Sequence, residues 1–214
     1  KPGNVKLQPK ILRDGQEAIA NTFGKDGRVP FVFHGGSGST LEETNPIRKR
    51  LRKMLSELEA RTLLDLPCGD FHWMQHVDLS GINYIGGDLV SELVKRNQAK
   101  YAREGVEFRK INLVKDSLPA ADVILCRDCL VHLSFDDVQA AFENMTKSDA
   151  KWLLATNFPD VKRNDDIVTG QWRPINLMLP PFNLPSPSHV INENCLEMEF
   201  KNKTLGLWSL AEIK

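Results

Sequence analysis

Residues 63–73, LLDLPCGDFHW, run an apolar stretch into a turn that holds a single glycine, Gly69, between two acids, Asp65 and Asp70. Cofactor loops that come after a first strand usually carry two or three glycines, so that the backbone can lie against a phosphate. Whether this stretch is such a loop or only a strand end depends on the segments downstream.

From residue 62 onward the chain alternates short apolar runs with longer helical patterns. TLLDL (62–66), NYIGGD (83–88), VEFRKI (106–111), ADVILC (121–126) and KWLLATN (151–157) have the length and composition of strands. SELVKRNQAKYAR and SFDDVQAAFENM read as helices, the second with Ser134 and Asp137 in capping positions. A further helix is expected from about Leu41 to Ala60, where Ile47, Leu51, Met54, Leu55 and Leu58 recur at helical spacing. Thr40 and Glu43 would cap it, or Pro46 would place its start nearer Asn45. The basic run RKRLRK (48–53) would then be a solvated face. Strands separated by helices imply parallel βαβ units, hence an α/β doubly wound sheet with ligands at the carboxyl ends of its strands. The stretch at 63–73, with a helix expected after it, would sit at that edge.

The chain has 214 residues, the size of one domain with a layered core. With 41% hydrophobic and 26% charged residues and no long apolar run, a membrane span is not expected. The 28 basic residues balance 28 acidic ones, which gives no reason to expect nucleic acid as a partner. Four irregularly spaced cysteines favour a reducing compartment, and a cytoplasmic location is expected. The start at Lys1 and the absence of a leader pattern suggest a domain of something longer. Residues 1–40 read as an N-terminal extension and loop, and 41–214 as the single domain. Within it a proline-rich excursion is expected at about 158–192, where Pro159, Pro174, Pro180, Pro181, Pro185 and Pro187 forbid a regular helix or central strand. CLEMEF and TLGLWSL then read as a closing antiparallel hairpin.

Asp88 ends the second strand 23 residues after Asp65, the place of an acid that takes ribose hydroxyls. The choice of cofactor rests on charge. A dinucleotide needs further glycines so that its pyrophosphate can reach a helix amino end, and Asp70 would repel it. S-adenosylmethionine carries an ammonium and a sulfonium, which acids, carbonyls and the aromatic edges of Phe71 and Trp73 suit.

These segments resemble the class I S-adenosylmethionine-dependent methyltransferases. LLDLPCGD looks like the first motif of that family, YIGGDLV like the second, INLVKDSLP like the adenine-flanking segment, and ADVILCRDCLVHLS like the fourth-strand motif. The resemblance implies a seven-stranded, mostly parallel Rossmann-like sheet ending in the antiparallel hairpin. It also implies a cofactor site of Asp65, Pro67, Cys68, Gly69, Asp70, Trp73, Asp88, Leu89, Asn112, Leu113 and Arg127. The usual glycine pattern is departed from at Pro67 and Phe71.

At the end of the fourth strand, where the family faces the methyl group, Asp128 and His132 stand four apart, and either could take a proton from an acceptor hydroxyl. Similar ubiquinone-pathway O-methyltransferases hold a divalent metal there, but Val131 replaces a ligand, so no metal is assigned. The pair Cys126 and Cys129 and the pair His72 and His76 read as packing or surface residues. For the acceptor, Trp172 offers a flat wall, Arg173 a fork of donors and Asn176 a bidentate partner, with His34 and Ser37 from the FHGGSGST loop (33–40) covering the site. The whole chain is also similar to methyltransferases encoded beside or fused to glycosyltransferases, including those of chloroviruses. That likeness implies O-methylation of a sugar such as rhamnose, glycosyltransferase domains of the same chain as partners, and the host cytoplasm as location. An N-methyltransferase, an NAD-dependent oxidoreductase and a non-catalytic cofactor-binding module remain the alternatives.

Overall fold

The computed structural model describes residues 37–195 and 198–213. Its sheet has seven strands: β1 (Thr62–Asp65), β2 (Asn83–Asp88), β3 (Val106–Lys110), β4 (Val123–Cys126), β5 (Trp152–Asn157), β6 (His189–Asn192) and β7 (Thr204–Ser209). They lie in the order β3-β2-β1-β4-β5-β7-β6. β1 to β5 are mutually parallel, and β7 runs antiparallel between β5 and β6. This is the doubly wound sheet that the alternation predicts, in the class I methyltransferase arrangement. The strand order reverses between β1 and β4, and an open parallel sheet presents its ligand crevice at such a point.

Among the described residues three helices flank it: α1 (Asn45–Glu57), α2 (Ser91–Tyr101) and α3 (Phe135–Thr146). α1 starts at Asn45, with Pro46 in the first turn where its missing N–H costs nothing. Thr40 Oγ1 accepts from Glu43 N at 3.2 Å and so caps the preceding turn instead of the helix. α3 is capped as expected, Ser134 Oγ accepting from Asp137 N at 3.2 Å. Alternation along the central strands builds two cores. Leu64, Ile124 and Leu153 pack toward α3, while Leu63, Val123 and Leu154 pack toward α1.

The helix expected after the 63–73 stretch does not form. Residues 66–82 hold only a short 3-10 turn at Met74–His76. Gly69 and Phe71 both have left-handed backbones, φ 56° and 59°, which a right-handed helix cannot continue. Phe71 is held so by its ring, which lies 5.1 Å from each of Tyr84, Tyr101 and Phe108 and is fully buried. It is a core residue and not the cationic-cofactor edge that the sequence suggested. The closing hairpin also differs from expectation. β7 pairs with His189–Asn192, whereas Met198–Phe200 is a 3-10 turn whose Phe200 packs on Phe158 and Trp172. The proline-rich excursion therefore ends at His189, where β6 begins.

Gly86 on β2 faces Phe108 on β3 in the sheet register. A Cβ at Gly86 would stand 2.6 Å from the Phe108 ring. Gly86→Ala is therefore expected to lower unfolding free energy by roughly 1–3 kcal/mol through overpacking, read as a lower denaturant midpoint at unchanged slope.

Candidate active site

The turn after β1 is tied down from three sides. Leu66 N donates to Leu125 O at 2.8 Å on β4, and Cys68 N donates to Gly87 O at 2.8 Å on β2. Asn97 of α2, fully buried, donates through Nδ2 to Gly69 O at 2.7 Å. The Leu66–Pro67 peptide is cis. Asp70 Oδ1 accepts from His72 N, closing a small turn. With no helix beginning here, the turn offers no row of free helix N–H groups to a phosphate.

Two buried carboxylates border it. Asp65 Oδ2 accepts from the Tyr84 hydroxyl at 2.7 Å, and burial pushes its pKa up to about 7, against the opposing effects of Tyr84 and Arg127. Asp88 accepts from Val90 N at 2.9 Å and from Gly69 N at 3.3 Å. Burial raises its pKa to about 6 despite those bonds. Burial disfavours their charged form, so a cation arriving between them would relieve a cost that the fold carries alone. Leu89 comes next, half-buried. After β3, Asn112 Oδ1 accepts from Val114 N and Lys115 N, and Leu113 O accepts from Asn144 Nδ2, so this corner is fixed from within.

Beyond β4 lies a buried ionic cluster. Arg127 donates from Nη2 to Glu193 Oε2 at 2.7 Å and to Gly38 O at 2.7 Å, and its guanidinium lies 5.8 Å from the Trp73 ring centre. Lys203 Nζ meets Asp128 Oδ1 at 2.7 Å and Glu193 Oε2 at 3.3 Å. Trp73, expected among the cofactor-binding residues, is 6% exposed and serves as the floor under Arg127. Asp128 has a left-handed backbone, φ 52°, with its N–H donating to Thr156 Oγ1 at 2.8 Å. Burial alone would raise its pKa, but Arg127 and Lys203 outweigh it and hold the carboxyl at about 2. A carboxylate so acidic, with both oxygens ion-paired, makes a poor proton acceptor.

His132 is placed differently. Its Nδ1 lies 2.9 Å from the Gln171 carbonyl, which can only accept, so Nδ1 carries the proton and Nε2 keeps its lone pair. Burial lowers its pKa below the ordinary 6.5, against the raising effects of Gln171 and Asp128. The ring is therefore neutral at pH 7.

The excursion supplies Trp172 beside Gln171. Its ring stands edge-on to Phe158 and Phe200, at 6.2 and 5.3 Å between centres, and is 46% exposed. Arg173 and Asn176 are both buried and bonded within the chain, although Arg173 Nε and Nη2 have no hydrogen-bond partner among the described residues. Arg173 is 6% exposed, donates from Nη1 to Leu130 O at 3.0 Å and lies over the Phe135 ring, so it braces the excursion against the segment before α3. Asn176 is buried and spent on the loop itself, donating to Pro159 O and Val161 O and accepting from Met178 N. Its partner Asn164 closes the same knot. His34 lies outside the described residues, and of Ser37 only the backbone is described.

Tyr84 lies inside YIGGDLV, where only Asp88 signals a ligand, and Asn97, Thr156, Glu193 and Lys203 belong to the site without any sequence motif to mark them. The first two sit one turn or strand away from the loop they support. Thr156 becomes a neighbour of Asp128 through the β4–β5 register Cys126↔Ala155, and Glu193 and Lys203 through Asn157↔Thr204 and Asn192↔Thr204. Among the described residues no three His, Cys, Asp or Glu side chains converge as a metal site. Cys126 and Cys129 are buried, with the Cys126 thiol pushed up by its bond with Cys129 and by burial.

Residues 64–148 match the family described as methyltransferase domain. The fold is similar to N-methyltransferase NodS from Bradyrhizobium japonicum WM9 in complex with S-adenosyl-L-homocysteine, with a TM-score of 0.60 and 12% identity over 92% of this chain and 98% of that one. It is also similar to the Burkholderia thailandensis 1,6-didemethyltoxoflavin-N1-methyltransferase, with a TM-score of 0.57 and 15% identity over 83% of each chain. A different likeness appears over a short stretch: 47 residues, 21% of this chain, are 55% identical to fructose-bisphosphate aldolase of Borreliella burgdorferi. The chain spans 13% of that relative's length.

Asp65 binds its proton more tightly folded, at about 7, than at its ordinary 3.8. Its contribution to stability is full below pH 3.8 and is lost as pH rises through 7. The melting temperature of the cofactor-free protein is expected to fall over that interval, and Asp65→Asn is expected to flatten the fall. An unchanged slope in thermal scans of Asp65→Asn would contradict this placement of the acid.

Proposed function

We propose that the chain is an S-adenosylmethionine-dependent O-methyltransferase that acts on a hydroxyl of a small molecule or glycan, a sugar being the acceptor class that fits best. The observation that carries the reading is His132, a neutral base whose Nε2 has no partner among the described residues, held by the carbonyl of the residue next to the exposed Trp172 and on the same sheet edge as two buried acids. Support for the cofactor comes from the donor set. Asp65 and Asp88 are destabilised as anions by burial and gain from a sulfonium and an ammonium nearby, while the helix-free turn lacks the amides that a pyrophosphate would use. When bound, S-adenosylmethionine supplies an electrophilic methyl group and leaves as S-adenosylhomocysteine. Asp88 has lone pairs left for ribose hydroxyls, and the Asn112 and Leu113 corner would flank the adenine.

His132 Nε2 takes the hydroxyl proton as the acceptor oxygen forms its new bond to carbon, and Gln171 keeps the ring oriented by holding Nδ1–H. The imidazolium that results lies in the field of the ionised Asp128. Trp172 gives an apolar face on which the ring of a sugar can lie, with its hydroxyls directed at the rim. Holding the acceptor in line can supply several kcal/mol of the barrier reduction. Glycosyltransferase domains of the same chain would be the source of such an acceptor. The aldolase likeness spans too little of that enzyme for its activity to carry over.

The test is methyl transfer across rhamnosides, other glycosides, quinols, amines and peptides, with the methylated atom found by mass spectrometry. An O-methylated glycoside is expected, and methylation of amines or peptides alone would overturn the sugar reading. Stabilisation by NAD but not by S-adenosylhomocysteine in melting scans would overturn the cofactor. His132→Gln is expected to lower the rate roughly 10²–10⁴-fold with S-adenosylhomocysteine affinity retained. In the native protein the rate is expected to rise with pH through a limb below 6.5, where His132 gives up its proton.

A further inference from the structure

Lys203 starts no motif and lies 75 residues from Asp128 in sequence, yet it reaches both oxygens of that carboxylate, at 2.7 and 2.8 Å. It also meets Glu193 Oε2 at 3.3 Å, and Glu193 is paired with Arg127. The four side chains sum to zero charge: two cations, Arg127 and Lys203, and two anions, Asp128 and Glu193. All but Asp128 have side chains under 10% exposed. In so little water each charge is felt strongly by its neighbours, and loss of one member leaves the rest unbalanced.

His132 closes the 3-10 turn Leu130–His132 that directly follows Asp128 and Cys129, its N–H donating to Cys129 O at 2.9 Å. Two charged side chains act on it directly, Asp128 from the end of β4 and Arg173 from the excursion, with the Gln171 carbonyl at Nδ1. Asp166 in turn faces Arg173. Asp128 is fixed by contacts from several elements: Lys203 just before β7, Arg127 beside it, and Thr156 Oγ1 from β5 on its left-handed backbone.

We propose that Lys203 is a positioning residue for proton transfer: by clamping and neutralising Asp128 it keeps that carboxylate from binding a proton onto His132, so the base stays free at neutral pH. The catalytic meaning of this rests on His132 being the base. Without the lysine the cluster carries one net negative charge, and Asp128 keeps Arg127 alone of its two cations, so its charge is less offset at the imidazole. His132 then holds its proton to higher pH, and the rate limb moves with it. Arginine at position 203 keeps the charge and restores the balance.

The experiment tracks the C2–H resonance of His132, identified by its absence in His132→Gln, through a pH titration of the full chain without acceptor. Lys203→Gln is expected to raise the midpoint by roughly half to one unit, and Lys203→Arg to leave it near the native value. In an Asp128→Asn background the shift caused by Lys203→Gln is expected to shrink by at least half. No shift, or an equal shift in both backgrounds, overturns the proposal. Should Lys203→Gln fail to fold, Asp128→Asn alone decides: the His132 midpoint must fall, and an unchanged midpoint overturns it. Because these readouts need no methyl transfer, they stand apart from the acceptor panel, whose failure would remove the catalytic meaning but not the electrostatic result. Where an acceptor is found, the acid limb of kcat/KM must move upward in Lys203→Gln by the same amount as the resonance.

Discussion

A buried guanidinium must be paired, and the pairing of Arg127 organises the carboxyl edge of the sheet. It ties the end of β4 to Glu193 beyond β6, reaches Gly38 on the turn that precedes α1, and lies over Trp73 from the loop after β1. Four segments far apart in sequence are thereby referred to one charge. The field of Arg127 also reaches Asp65 and Asp128, pulling both toward the ionised form. The two acids nevertheless end at opposite extremes. Among the described residues Asp65 has Tyr84 as its one close donor and its burial prevails, whereas Asp128 has two cations in contact. One sheet edge thus holds a carboxyl poised to respond to an incoming cation beside a carboxylate that is already satisfied.

The strands and helices were legible because their signals are local. The alternation of short apolar runs with helical periods was enough for the parallel order, and Asp65, Gly69 and Asp88 converge because strand ends in a parallel sheet must. The failures have a common physical source, which is that long-range burial decided the local backbone. The segment after Gly69 has residues that tolerate a helix, but the fully buried Phe71 ring takes a left-handed backbone to reach Tyr84 and Phe108. CLEMEF has the composition of a strand, but His189–Asn192 fills the register beside β7 and Phe200 turns toward Trp172.

The proline-rich excursion shows the same limit for side chains. Trp172, Arg173 and Asn176 looked alike in sequence as groups that could meet a polar ligand. Prolines leave carbonyls without the usual backbone partners, and in an ordered loop side-chain amides must supply the missing donors. Asn164 and Asn176 do this, donating to Pro159, Val161 and Pro180 carbonyls. Arg173 supplies a donor to Leu130 O and its flat face to Phe135. Trp172, with nearly half its surface in water, is left to meet something else, and so are Arg173 Nε and Nη2, which have no hydrogen-bond partner among the described residues.

Asp128 and His132 were indistinguishable as bases from their spacing, and the environment separates them. Proton acceptance needs a lone pair that is both accessible and of moderate affinity. Asp128 has oxygens in ion pairs and a carboxyl held at about 2. His132 has one nitrogen committed to Gln171 and the other without a partner among the described residues, with burial lowering its proton affinity below the ordinary imidazole value. The acid still matters to the base, because a fixed anion nearby favours the imidazolium that proton transfer creates. Too strong an anion would protonate the ring before any acceptor arrived. The cations against Asp128 set that compromise, and one of them, Lys203, comes from just before the antiparallel strand inserted beside β5, so the closing hairpin is part of the site's electrostatics as well as of its fold.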